Sequence, residues 1–198
     1  TWLTSGGGER PQTFMKIENT LALSLPPDEA WKLLLDIPYV APCLPGTELT
    51  EIVDAQTFEG TVKLKLGPVA LAFQGTAKIE HVDPDTRTVR VSAKGREDRG
   101  RGTANADVAF SLSPQDDGTR VDVITDLQLA GSIIQYARGA SVIERTAQSL
   151  VDQFAQRLTA KIESGEEPDA EAIKVGSLLW HGIKSSVGGK SKNGGDGS

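Results

Sequence analysis

The side chains in this chain best suited to nucleophilic, acid–base or metal chemistry are one cysteine, two histidines and two tyrosines. Cys43 stands in a Pro42-Cys43-Leu44-Pro45-Gly46 turn. A reactive thiolate needs a neighbouring base or an electropositive setting. No histidine lies near it in sequence, so the thiol reads as a small buried hydrophobe. His81 sits near a turn and His181 near the C-terminus. One cysteine and two distant histidines offer no metal-ligand spacing, and no serine, histidine and acid stand in a supporting context. The expectation is a protein with no catalytic residues, no metal and no covalent cofactor. An enzyme would require polar groups that converge in a pocket. Arg96, Arg99 and Arg101 in the GREDRGRG stretch are suited to an acidic partner, but such a run usually forms a solvated turn, and that reading is preferred.

The elements that would position these residues follow from hydrophobic period. Ile17, Asn19, Leu21, Leu23 and Leu25 share one parity of a strand over residues 16–25. Pro26-Pro27-Asp28-Glu29 opens a short helix, since proline is tolerated in a first turn and early acids suit the helix dipole. Trp31, Leu34 and Leu35 form its buried side, and Pro38 and Pro42 cut the next helix short. From Thr47 to Leu129 the period is two, with turns at Gly67-Pro68, Asp83-Pro84-Asp85 and Asp116-Asp117-Gly118. With the first strand this makes about seven strands, antiparallel and mostly meander-linked. Over residues 131–163 the apolar spacing changes to steps of three and four, which predicts one long helix. Small residues line its start and Leu150, Val151, Phe154 and Leu158 its end, so packing is expected to be tight at one end and open at the other. The expected fold is α+β: a curved seven-stranded antiparallel sheet wrapped on a long C-terminal helix, with two short helices after strand 1.

Such a sheet encloses an apolar space. Its inner parity supplies Phe58, Val62, Leu64, Phe73, Val91, Val108 and Phe110. Ile37, Tyr39, Val40 and Leu44, with Ile133, Ile134, Tyr136 and Ala137 from the helix start, would close it. Apolar pockets carry few polar groups, and Tyr39 and Tyr136 are the candidates to hold a carbonyl. Access is expected between residues 37–44 and the start of the long helix.

A formal charge of −6 argues against a nucleic-acid binder. Residues 1–14 lack the basic and apolar regions of a leader and read as a flexible extension, with pattern starting at Met15. Residues 15–163 form the domain, 164–172 a linker and 188–198 a disordered Gly, Lys and Ser tail. Between these, residues 173–187 suit an amphipathic membrane-surface segment. Ile173, Leu178, Leu179, Trp180, Ile183 and Val187 would bury, and Lys174 and Lys184 would meet anionic lipid.

Three stretches resemble a known family: MKIENTLALSLPPDEAWKLLLDIPYVAPCLPGTEL, FEGTVKLKLGPVALAFQGTAKIE and AGSIIQYARGASVIERTAQSLVDQFAQRL. Residues 15–163 look like the helix-grip superfamily of START domains, the birch-pollen allergen and polyketide cyclases. The specific resemblance is to the CoxG subunit of carbon monoxide dehydrogenase. It implies a non-enzymatic partner of a molybdenum-containing carbon monoxide dehydrogenase, peripheral to the cytoplasmic face of the cell membrane. It further implies coupling to the quinone pool, with a quinone or lipid as cargo. The alternatives are an assembly or docking factor without ligand and a cyclase-like enzyme.

Overall fold

A computed structural model describes residues 12–136 and 140–165. The chain runs β1 (Gln12–Leu23), α1 (Pro27–Leu34), α2 (Ile37–Val40), a 3₁₀ turn (Ala41–Cys43), β2 (Thr47–Ile52), β3 (Thr57–Leu66) and β4 (Val69–Asp83). It continues through β5 (Thr88–Glu97), β6 (Gly102–Gln115), β7 (Gly118–Gly131), a second 3₁₀ turn (Ser132–Gln135) and α3 (Ala140–Glu163). The sheet order is β1-β7-β6-β5-β4-β3-β2, antiparallel throughout. This is the expected helix-grip architecture, with seven strands and a long C-terminal helix.

Two boundaries differ from expectation. β1 begins at Gln12, inside the predicted extension, because β7 is long enough to pair with it: Gln12 faces Ala130 and Thr13 faces Leu129. The predicted helix over residues 131–163 starts only at Ala140. Gly131 ends β7 with φ 94°, and the next residues form a 3₁₀ turn whose Ile133 N–H donates to the Arg101 carbonyl. That turn therefore belongs to the β5–β6 end of the sheet.

The sheet's curvature has a local cause. Gly60, Gly75 and Gly95 pair side by side across β3, β4 and β5. A Cβ on Gly75 would land on the Lys94 carbonyl oxygen, so only glycine permits that approach. Strands that coil at such a row curve around a helix where a flat sheet would not.

Two apolar clusters lie between the sheet and the helices. One gathers Trp31, Leu34, Leu35 and Tyr39 from the short helices, Phe58, Ile79, Val89 and Val121 from the sheet, and Leu158 from α3. The other joins Ile17, Leu66, Leu71, Phe73 and Leu129 to Ile133 and Ile143. So α3 is pinned at both ends, and the expectation of one tight and one open end is replaced by two closed ends.

Candidate functional site

Between the clusters the concave face is built from small side chains. Next to the glycine row, Ala104 faces Gly95, and the adjacent row runs Ala77, Ala93, Ala106. These alanines remain only half-buried although they share the face that carries α3. Val62, Leu64, Val91 and Val108 are half-buried on the same face. Of these, Val91 packs against the first cluster and Leu64 and Ala104 against the second, while Ala77, Ala93, Ala106, Val62 and Val108 belong to neither. At the sheet edge β1 is joined to α3 by a polar contact: the buried Asn19 of β1 donates from Nδ2 to Gln148 Oε1 of α3 at 2.7 Å. Gln148 in turn donates to Asp152 Oδ1 at 2.8 Å.

The space opens to one side because β2 is short. Its ladder with β3 ends at Thr47 opposite Val62, followed by one further bond from the Lys63 N–H to the Gly46 carbonyl at 2.8 Å, and no β2 residue pairs with Leu64 to Leu66 along that edge of β3. Across from this edge runs the first half of α3. The gap is a groove of about 600 Å³ lined by Pro45, Gly46, Lys63, Leu64, Lys65, Gly67, Val142, Arg145, Thr146, Ser149, Leu150 and Gln153. A second cavity of about 440 Å³ shares Lys63, Leu64 and Lys65 and continues to Ala70, Leu71, Ala72 and the β5–β6 turn.

In that turn Arg96, Asp98, Arg99 and Gly100 are exposed as expected, but Glu97 and Arg101 turn inward. Glu97 is 1% exposed and accepts from the Arg101 guanidinium at 2.6 Å and from the backbone N–H groups of Arg99 and Arg101 at 2.9 and 3.1 Å. The Arg101 hydrogen bond, helped by the two backbone donors, holds the Glu97 carboxyl down at about 2. Arg101 also donates to the Ala70 carbonyl at 2.9 Å and lies 5.8 Å from the Tyr136 ring centroid. Glu97 and Arg101 thus tie β4, the β5–β6 turn and the start of the helical segment together. Glu97 continues the inner parity of Ala93 and Gly95, which is the signal in the sequence that it turns inward.

A second lock sits at the opposite end. Asp36 caps α2 by accepting from the Tyr39 N–H at 3.1 Å. Burial pushes its carboxyl up, against the opposing pull of that hydrogen bond and of Lys161. Lys161 Nζ lies 4.2 Å from the Tyr39 ring centroid and donates to the Tyr39 carbonyl at 3.4 Å. Cys43 is buried in the same cluster, with Sγ 4.0 Å from the Tyr39 carbonyl. The 37–44 segment is therefore a plug, and the opening lies one step further along the chain, at Pro45, Gly46 and the middle of α3.

The predicted cavity residues separate accordingly. Leu64 lines both openings. Val62 and Val108 are half-buried on the concave face, and Val91 and Phe110, also half-buried, pack against the first cluster. Phe58, Tyr39 and Val40 are sealed in the first cluster with Ile37 packed against it, and Phe73 and Ile133 are sealed in the second with Ile134 beside it. Leu44 and Tyr136 are exposed, at 41% and 38%. Ala137 and the predicted membrane segment, Ile173 to Val187, lie outside the described residues. The α3 residues Val142, Arg145, Thr146, Ser149 and Gln153, which face the opening, were not anticipated; as mostly polar residues they leave no mark in a hydrophobic pattern. His81 is exposed at a β-bulge. Among the described residues no group of three or more His, Cys, Asp or Glu is placed to hold a metal ion, and no helix is long and apolar enough to cross a membrane.

A sequence model for CoxG, a subunit of carbon monoxide dehydrogenase, matches residues 20–163. None of the curated proteins matches. Among solved structures, a conserved protein from Geobacillus kaustophilus is similar at a TM-score of 0.66 and 17% identity, covering 76% of this chain and 96% of that one. TTHA0849 from Thermus thermophilus is similar at 0.52 and 15%, covering 74% and 98%. A protein from Rhodobacter sphaeroides is similar at 0.51 and 16%, covering 79% and 100%. At these identities the solved structures speak to the fold.

Proposed function

The chain belongs to the CoxG family of carbon monoxide dehydrogenase subunits, and from that premise we propose that it is a non-catalytic accessory protein that carries a quinone. The cargo would be menaquinone, ubiquinone or a similar isoprenoid lipid, held between the sheet and α3. In the same reading the protein tethers a molybdenum-containing carbon monoxide dehydrogenase to the cytoplasmic face of the membrane, with residues 173–187 as the anchor.

One observation supports the proposal: a groove of about 600 Å³ lies between the edge of β3 and α3, with Leu64, Val142 and Leu150 among its lining, on a sheet whose inner face carries rows of glycine and alanine. That volume is in the range of small-molecule sites. An isoprenoid chain suits an apolar floor, with each buried CH₂ worth about 0.8 kcal/mol. The same term favours return of the cargo to a bilayer, so a carrier of this kind exchanges its cargo at the membrane. The uncharged polar groups in the groove lining, Thr146, Ser149 and Gln153, are hydrogen-bonding side chains suited to a neutral carbonyl.

Native mass spectrometry of the full chain purified from a quinone-making host tests this. A retained mass equal to a quinone or isoprenoid lipid is expected. An empty protein that also takes up no added quinone would leave the docking or assembly role in its place.

A further inference from the structure

The charge at the groove mouth runs against the charge of the chain. The protein has 27 acids against 21 lysines and arginines. Yet the larger groove is lined by Lys63, Lys65 and Arg145 and by no carboxylate. Among the described residues no acid pairs with any of these three. The second cavity shares both lysines and adds Arg99 beside the exposed Asp98; its other acid, Glu97, is already held by Arg101. Between the two openings the β3–β4 hairpin projects its exposed Gly67-Pro68 tip.

We infer that this end of the domain is a docking face for an anionic phospholipid surface. The unpaired cations meet lipid phosphates, and the hairpin tip rests among the head groups. The groove, with Leu64, Val142 and Leu150 behind its rim, then faces the acyl chains. Phospholipid is the occupant that satisfies both halves of the surface, because it presents phosphate to the rim and hydrocarbon to the groove. An acidic protein face would answer only the charge. The contact orients the opening toward the bilayer, which a tether through residues 173–187 would not do. The inference rests on the reading above only in placing cargo exchange at a membrane.

The test uses the full chain and vesicles of phosphatidylcholine with or without about a third phosphatidylglycerol. A cation near an anionic leaflet contributes about 1 kcal/mol, close to fivefold in binding. K63Q/K65Q/R145Q should therefore lower partitioning onto the phosphatidylglycerol vesicles roughly 100-fold and leave the phosphatidylcholine background unchanged. All three side chains are exposed, so circular dichroism and thermal melting should match the parent. An environment-sensitive dye on P68C should shift to the blue on the anionic vesicles, while one on R90C, away from the grooves, should not. Unchanged vesicle binding of the triple variant, or a dye at position 68 that stays in water while the protein is bound, overturns the inference. So does a variant that keeps vesicle binding but loses capture of purified carbon monoxide dehydrogenase, which would make the face a protein interface. The two readings are separated on the parent chain: vesicle binding by protein that carries no quinone defeats only the carrier reading, and quinone carriage by protein that does not bind the anionic vesicles defeats only this inference.

Discussion

Leu150 and Leu158 lie two turns apart on α3, and replacing each with alanine measures whether the groove-facing side of the helix is open while its sheet-facing side is packed. Leu158 is 0% exposed and packs into the first cluster. Truncating such a leucine removes its transfer free energy and leaves a cavity, at a cost of about 2–5 kcal/mol. Leu150 is half-buried, belongs to neither cluster and lines the groove. Its side chain is partly in water already and leaves no closed void, so L150A should cost about 1 kcal/mol or less. With a urea m-value of roughly 2 kcal/mol/M, L158A should lower the unfolding midpoint by about 1–2.5 M and L150A by less than about 0.5 M. The assay is equilibrium urea unfolding of delipidated protein, followed by circular dichroism. Equal losses would mean that α3 closes onto the sheet in solution and that no open space exists. If a quinone is bound, its added stabilisation should shrink in L150A, because binding to the native state stabilises in proportion to affinity.

The two locks should respond to pH with opposite signs. Glu97 is held at about 2, below an ordinary glutamate, so its contribution is full above about pH 4.5 and is lost as the pH falls toward 2; E97Q should flatten the acid limb of the stability profile, read from melting temperatures. Asp36 is raised, so its burial favours the neutral form and its unfavourable contribution grows as the pH rises through its folded value; D36N should remove that dependence and keep an oxygen to cap Tyr39. G75V should fail to fold, since its Cβ would meet the Lys94 carbonyl, and a cooperative unfolding transition like the parent's would refute the account of the sheet's curvature.

Much of the architecture was legible because period two survives wherever one face of a strand is buried. Val121, Val123 and Leu129 alternate as read, and Asp116-Asp117-Gly118 marks the β6–β7 hairpin. The helix start was misplaced because a 3₁₀ turn over Ser132–Gln135 spaces apolar residues almost as an α-helix does. The cavity set was legible only as a face. Which members are sealed and which line space depends on where Leu158 and Ile143 land, and alternation carries no record of that. Glu97 was lost among charged neighbours although its parity placed it inside. The opening was missed because it arises from the short pairing of β2, and its polar lining on α3 resembles an ordinary solvated helix face.

The central claim is that the space between the glycine–alanine band and α3 holds an isoprenoid quinone. A crystal structure of the full chain grown with a short-chain menaquinone tests it most directly. Ring and chain density between Ala93, Ala106 and α3, leaving past Leu64 through the groove, is expected. Density elsewhere on the protein, or a helix seated on the alanines with no room between, would contradict it.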